Sequence, residues 1–186
     1  VDVSEDERSA GSAADPVCTA QLSTVANGQP VTADIACHTL LIDFLREEVG
    51  VRSARRSCDV QLCGSCSVLV DGLPVSSCCY LAVDVDKKSV LTAEGLRGLE
   101  DADPIYTALE NAFVEHAAVQ CGYCTPGFMV TLWFLIEGGH LTPGTTHEEL
   151  RTLLKGNLCR CTGYEPILAA ASAAVGALAG ARGDGA

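Results

Sequence analysis

Residues 58–66 read Cys58-Asp59-Val60-Gln61-Leu62-Cys63-Gly64-Ser65-Cys66, and this loop decides the fold. Three thiolate donors at x4 and x2 spacing, with a fourth at Cys78 beyond an eleven-residue spacer, match a tight loop and a following strand closing around a [2Fe–2S] cluster. Gly64 belongs to the same logic: without a side chain, the backbone passes close to the cluster and turns its N–H groups toward the sulfurs. Four thiolates also suit zinc, but the x4 spacing and the gap to Cys78 favour iron–sulfur. Cys79 leaves a register ambiguity, in which the spacer favours Cys78 as the ligand and Cys79 as a packed thiol.

On either side of this loop the pattern is that of a small sheet. Leu22–Val25 and Val31–Ile35 flank Asn27-Gly28, whose tolerance of positive φ predicts a type I′ hairpin. A helix over Leu40–Glu48, capped by Thr39, precedes the cysteine loop. Ser67–Val70, Asp71-Gly72 and Leu73–Ser77 read as a second hairpin, and Ser89–Thr92 as a closing strand. Past Glu94-Gly95 the periodicity turns helical. Asp103-Pro104 caps one helix, Pro126 opens another that Gly138-Gly139 ends, Thr146-His147-Glu148-Glu149 is a capping box for a helix ended by Gly156, and Pro166 starts an Ala-rich helix that frays over 180–186. The expected class is α+β: an N-terminal β-grasp, plant-type ferredoxin-like domain over 19–95, then a C-terminal four-helix bundle over 96–186. Residues 1–18, poor in apolar side chains, read as a disordered tail.

The helical part carries a second thiolate set, Cys121-x2-Cys124 with Cys159-x-Cys161. Its two pairs lie far apart in sequence, so two helix ends or loops must meet in space. Taken alone, this set suits zinc as well as a second cluster. His38, His116, His140 and His147 show no ligand pairing, which argues against a site with two histidine ligands. Cys18 and Cys37 have no partner motif and read as buried or incidental thiols, and Met129, Trp133 and Phe134 as core.

Composition bounds the function. With 186 residues, 48% of them hydrophobic, the chain has material for two small cores. A formal charge of −12 excludes binding driven by the phosphate backbone of nucleic acid. No apolar run reaches the roughly 18 residues of a membrane span, which predicts a soluble protein. Eleven cysteines, an odd number at metal-loop spacings with no visible secretory segment, point to a reducing cytoplasm rather than to disulfides. Arg55-Arg56 lacks the apolar stretch of a twin-arginine signal and reads as surface or packing charge. No Gly-rich dinucleotide fingerprint appears, so flavin or nucleotide chemistry belongs elsewhere.

Gln120-Cys121-Gly122-Tyr123-Cys124-Thr125-Pro126-Gly127 and Asn157-Leu158-Cys159-Arg160-Cys161-Thr162-Gly163-Tyr164 resemble the second-cluster motifs in the small subunits of molybdenum hydroxylases, the xanthine dehydrogenase and carbon monoxide dehydrogenase family. The resemblance covers about residues 20 to 175. It implies two [2Fe–2S] clusters, held by Cys58, Cys63, Cys66 and Cys78 and by Cys121, Cys124, Cys159 and Cys161. It further implies electron flow from a molybdopterin centre in a large subunit, through the helical cluster and then the plant-type cluster, to FAD in a medium subunit. By position, Gln120 matches a glutamine that contacts the pterin, and Cys161 the ligand closest to it. Such assemblies are commonly dimers of heterotrimers, and this chain would itself do no substrate chemistry. Ser57, Ser65 and Leu62 depart from the usual pattern, which bears on cluster exposure and potential rather than ligation. The alternatives are a free-standing two-cluster ferredoxin and a zinc-stabilised interaction module. The substrate, whether carbon monoxide, a purine, an aldehyde or an N-heterocycle, is set by the large subunit.

Overall fold

The structure is a computed structural model that describes residues 18–98 and 103–183; the expected tail over 1–18 falls, but for Cys18, outside the described residues. Strands β1 (Thr19–Ala26) and β2 (Gln29–Ala36) form an antiparallel hairpin with Leu22 opposite Ala33. Its turn is the expected one, with Asn27 at φ 50° and Gly28 at φ 79°. Helix α1 (Leu41–Glu47) leads into the cysteine loop. Thr39 does not cap it. The entry is fixed by backbone pairing instead, since the Leu41 N–H donates to the Tyr80 carbonyl at 2.7 Å while the Thr39 carbonyl accepts from Ala82 N–H at 2.8 Å.

Strands β3 (Ser67–Val70) and β4 (Leu73–Ser76) make the second hairpin, and β5 (Ser89–Leu91) enters between the two hairpins, parallel to β1 and antiparallel to β3. The resulting order is β2-β1-β5-β3-β4. A short helix, α2 (Ala93–Arg97), follows directly on β5, earlier than the pattern suggested, with the Thr92 hydroxyl as its cap. Asn27 at the first hairpin tip holds Thr92, accepting from its N–H at 2.9 Å. Four helices follow: α3 (Pro104–Glu115), α4 (Thr125–Glu137), α5 (His147–Leu153) and α6 (Glu165–Gly183). Asp103 caps α3, the capping box of Thr146 and Glu149 opens α5, and α6 runs to Gly183, into the segment expected to fray, whose residues 184–186 lie outside the described residues.

Strand β3 explains how the halves join. Side chains alternate across a strand, so Val68 and Val70 pack with Leu41, Ile42, Phe44 and Leu45 of α1, while Leu69 points the other way into the core of Leu109, Phe128, Leu132, Leu150 and Ile167. Val68, Leu69 and Val70 are therefore all buried, with Ser67 partly so, as expected for a strand covered on both faces. Met129 belongs to the helical core, with Trp133 and Phe134 partly buried against it. Ala170, Ala171 and Ala174 are fully buried on α6 and let α3 approach closely. Among the described residues no helix is long and apolar enough to cross a membrane.

Cys18 and Cys37 differ from expectation. They face each other where the first hairpin opens, Cα atoms 5.6 Å apart, and are joined as a disulfide. The register that puts Thr19 opposite Ala36 makes them cross-strand neighbours, a relation that their spacing of 19 positions does not announce in sequence.

Candidate metal centres

The first cysteine loop is a chain of unusual backbone conformations. Asp59 (φ 53°), Gln61 (φ 58°) and Gly64 (φ 71°) curl the segment so that its N–H groups turn inward, and the Leu62 N–H donates to Cys58 Sγ at 3.4 Å. The N–H groups of Val60 and then Leu62 favour the thiolate, and they bring the Cys58 thiol down to about 6. Cys63, through its N–H and its thiol, adds to that lowering. Cys66 pairs with Cys78, and burial pushes the Cys66 thiol up to about 12. Cys63, Cys66 and Cys78 are buried, whereas Cys79 is exposed, 3.7 Å from Cys78 Sγ and directed at the Asp59 carbonyl. Both neighbours therefore reach the loop, Cys78 beside Cys66 and Cys79 at Asp59, and Cys79 is exposed rather than the packed thiol expected.

The second set assembles where two loops meet, the residues before α4 and those between α5 and α6. Cys161 Sγ lies 3.5 Å from Cys121 Sγ, and Cys124 neighbours Cys159. The Tyr123 N–H, and then Cys161, lower the Cys121 pKa. Burial pushes Cys124 up to about 12. Burial also opposes ionisation of Cys159, but the Thr162 hydroxyl, at 3.2 Å, and the Thr162 and Cys161 backbone outweigh it and lower its pKa. The Tyr164 hydroxyl accepts from the Cys159 N–H at 3.1 Å. Gln120 and Arg160 are both exposed beside these ligands, as are Cys121 and Cys161.

Cys121 and Cys161 Sγ lie 3.5 Å apart, and Cys58 with Cys63, Cys66 with Cys78 and Cys124 with Cys159 are close enough for one to shift the other's ionisation. Among the described residues no three His, Cys, Asp or Glu side chains converge as they would around one ion. Two pairs of thiolates, each pair serving one iron, is the arrangement a [2Fe–2S] unit needs, and the inward N–H groups suit its negative charge.

The two loops are also locked to each other. The Leu158 N–H, next to Cys159, donates to the Cys63 carbonyl at 2.9 Å. A Cβ on Gly127 would collide with the Gly64 carbonyl oxygen, and one on Gly64 would come within 2.6 Å of the Gly156 carbonyl oxygen and meet the Asn157 amide. Asn157 is itself buried. On the other side, Arg55 Nη1 donates to the Gly122 carbonyl, its guanidinium lies 5.3 Å from the Tyr123 ring centre, and the Tyr123 hydroxyl donates to the Arg56 carbonyl. Thr162, Tyr164, Asn157 and Arg55 were not singled out as site residues from the sequence. The first three do stand in the second of the quoted cysteine motifs, Asn157–Tyr164, which was the available signal.

Residues 92–172 match the family model of the [2Fe-2S] binding domain. The nicotinate dehydrogenase small FeS subunit of Eubacterium barkeri is 44% identical over 73% of this chain and 82% of its own length. The caffeine dehydrogenase subunit gamma of a Pseudomonas species is 38% identical over 79% of this chain and 86% of its own. Among solved structures, quinoline 2-oxidoreductase from Pseudomonas putida 86 superposes with a TM-score of 0.75 at 38% identity, covering 89% of this chain and 98% of that one. Paired thiolates on two interlocked loops and relatives matched over most of their length lead to one conclusion: the chain belongs to the family of small iron–sulfur subunits of molybdenum hydroxylases.

Proposed function

We propose that this chain is the electron-transfer subunit of a molybdenum hydroxylase, holding two [2Fe–2S] clusters between a molybdopterin centre on a large subunit and FAD on a medium subunit, in a dimer of heterotrimers. The observation that carries this reading is the gathering of two four-cysteine sets on loops that share a hydrogen bond. When bound, each cluster accepts and returns one electron. The chain's own residues hold the two sites together, and the Cys63 carbonyl and Leu158 N–H give a direct polar bridge between the ligand sets, at 2.9 Å. In this reading residues 19–95 form a β-grasp ferredoxin-like domain and residues 96–186 a four-helix domain, with 1–18 as a tail.

Both ends are suited to partners. Around the second set, Val119, Tyr123 and Leu158 are exposed apolar side chains, and with Gln120 and Arg160 they form the face assigned to the large subunit. Gln120 offers an amide that both donates and accepts, suited to a pterin edge near Cys161. Around the first set, Val60 and Leu62 are each more than 60% exposed and form the face assigned to the flavin subunit. The nicotinate, caffeine and quinoline enzymes among the relatives favour an aromatic N-heterocycle as the substrate of the assembly.

Metal analysis and electron paramagnetic resonance test the assignment. Four irons per chain and two distinct signals after reduction are expected, because one site is a loop on a sheet and the other joins helix ends, with different hydrogen bonding to sulfur. Cys58→Ser or Cys78→Ser should abolish one signal and spare the other, and Cys79→Ser should spare both. Stoichiometric zinc, or a single cluster, would show a different protein.

A further inference from the structure

The dipeptide Arg55-Arg56, expected from the sequence to be surface or packing charge, reaches into both cysteine loops. The Arg55 N–H donates to the Ser65 carbonyl, between Cys63 and Cys66, at 3.1 Å, while its Nη1 donates to the Gly122 carbonyl, between Cys121 and Cys124. The guanidinium lies 5.3 Å from the ring centre of Tyr123, whose hydroxyl donates to the Arg56 carbonyl. Arg56 is braced in turn by Asp59, beside Cys58, at 2.8 Å and by Asp43 of α1 at 2.6 Å. Each of these contacts except that to Asp43 falls on a residue enclosed by a cysteine spacing.

Charge does not single out Arg55. Four carboxylates, those of Asp43, Glu47, Asp59 and Glu94, stand with Arg46, Arg52, Arg55 and Arg56 around the adjoining cleft, so the region is balanced as a set. What is particular to Arg55 is its geometry. A planar guanidinium can hold a carbonyl at its edge and lie against an aromatic face at once, which a lysine ammonium cannot match. Arg55 is also half-buried, where its hydrogen bonds meet less competition from water.

The loops have another tie elsewhere. The Leu158 N–H and the Cys63 carbonyl join the first loop to the Cys159–Cys161 side of the second set, at 2.9 Å, whereas Arg55 and Tyr123 join it to the Cys121–Cys124 side. One tie leaves a pivot; two at separate points remove the rotation about it. We propose that Arg55 is a positioning residue for electron passage between the two centres, clamping the Cys121–Cys124 loop to the Cys63–Cys66 loop so that the two ligand sets keep one relative orientation. This inference rests on the electron-transfer reading. Electronic coupling between redox centres falls steeply with separation, so a small rotation of one loop costs rate even when both sets stay loaded.

Arg55→Met, Arg55→Lys and Tyr123→Phe test the clamp in the cluster-loaded full chain. The readouts are iron content, the spin–spin splitting of the fully reduced protein, and the rate at which an electron injected at one centre equilibrates with the other. Midpoint potentials measured alongside separate a change of driving force from a change of coupling. Arg55→Met should keep the iron and both signals while lowering splitting and rate by about twofold or more, and Arg55→Lys should restore both in part. Tyr123→Phe should act in the same direction and add little to Arg55→Met, because both release the same loop. Should Arg55→Met fail to retain iron, Tyr123→Phe decides, since it deletes only a hydroxyl and leaves the guanidinium in place. Unchanged splitting and rate in the deciding variant overturn the proposal and leave Arg55 a stabilising contact. Failure of the electron-transfer reading would show instead in the iron count of the wild type.

Discussion

Thr162 is the residue whose small side chain has the clearest electronic task. Its hydroxyl lies 3.2 Å from Cys159 Sγ, and a hydrogen bond to a ligand sulfur favours the more negative, reduced cluster. Thr162→Val keeps the shape and removes the donor. The cluster should survive, with its potential lowered by on the order of 40 mV, which is what a differential of about 1 kcal/mol means for one electron. Redox titration followed by electron paramagnetic resonance reads this directly; an unchanged potential would mean that the hydroxyl serves only the turn at Tyr164, whose N–H also meets it at 3.2 Å.

At the scale of elements, two joints invite a test. Gly127 at the start of α4 lies against the Gly64 carbonyl oxygen, so Gly127→Ala must push the second loop off the first. Overpacking of this kind costs about 1–3 kcal/mol, and the magnetic interaction between the two reduced clusters should weaken while each cluster keeps its own signal. An unaltered interaction would show that the seam relaxes without moving the clusters. The other joint is the disulfide of Cys18 and Cys37, which closes the first hairpin. For a loop of about 20 residues the chain-entropy model gives roughly 3 kcal/mol, so Cys18→Ser should lower the melting temperature, and a reductant should lower the wild type to match. These joints also mark the limit of what the sequence made legible. The hairpins at Asn27-Gly28 and Asp71-Gly72, the caps at Asp103 and Thr146 and both thiolate sets were visible because each is a local pattern or a short spacing. The Gly64–Gly127 contact, the Cys18–Cys37 pairing and the backbone entry to α1 were not, because each joins residues that only the folded register brings together. Helix α2 is too short for its periodicity to stand out.

At the scale of the whole molecule, β3 is a shared wall: Val68 and Val70 serve one core and Leu69 the other. The two halves should therefore melt together. Heating the loaded protein should bleach both clusters in a single transition, and Leu69→Ala, at a site 1% exposed, should lower the stability of both by about 2–5 kcal/mol. Two separated transitions would show that the halves are energetically independent. The seam of Gly64, Gly127 and Asn157 carries a related consequence for building new wires from this family. A chimaera that grafts the sheet of one relative onto the helices of another would inherit a mismatched mould unless these three positions travel together. The two cluster sites are therefore a single heritable part, and tuning one by exchange of sequence means re-casting the other.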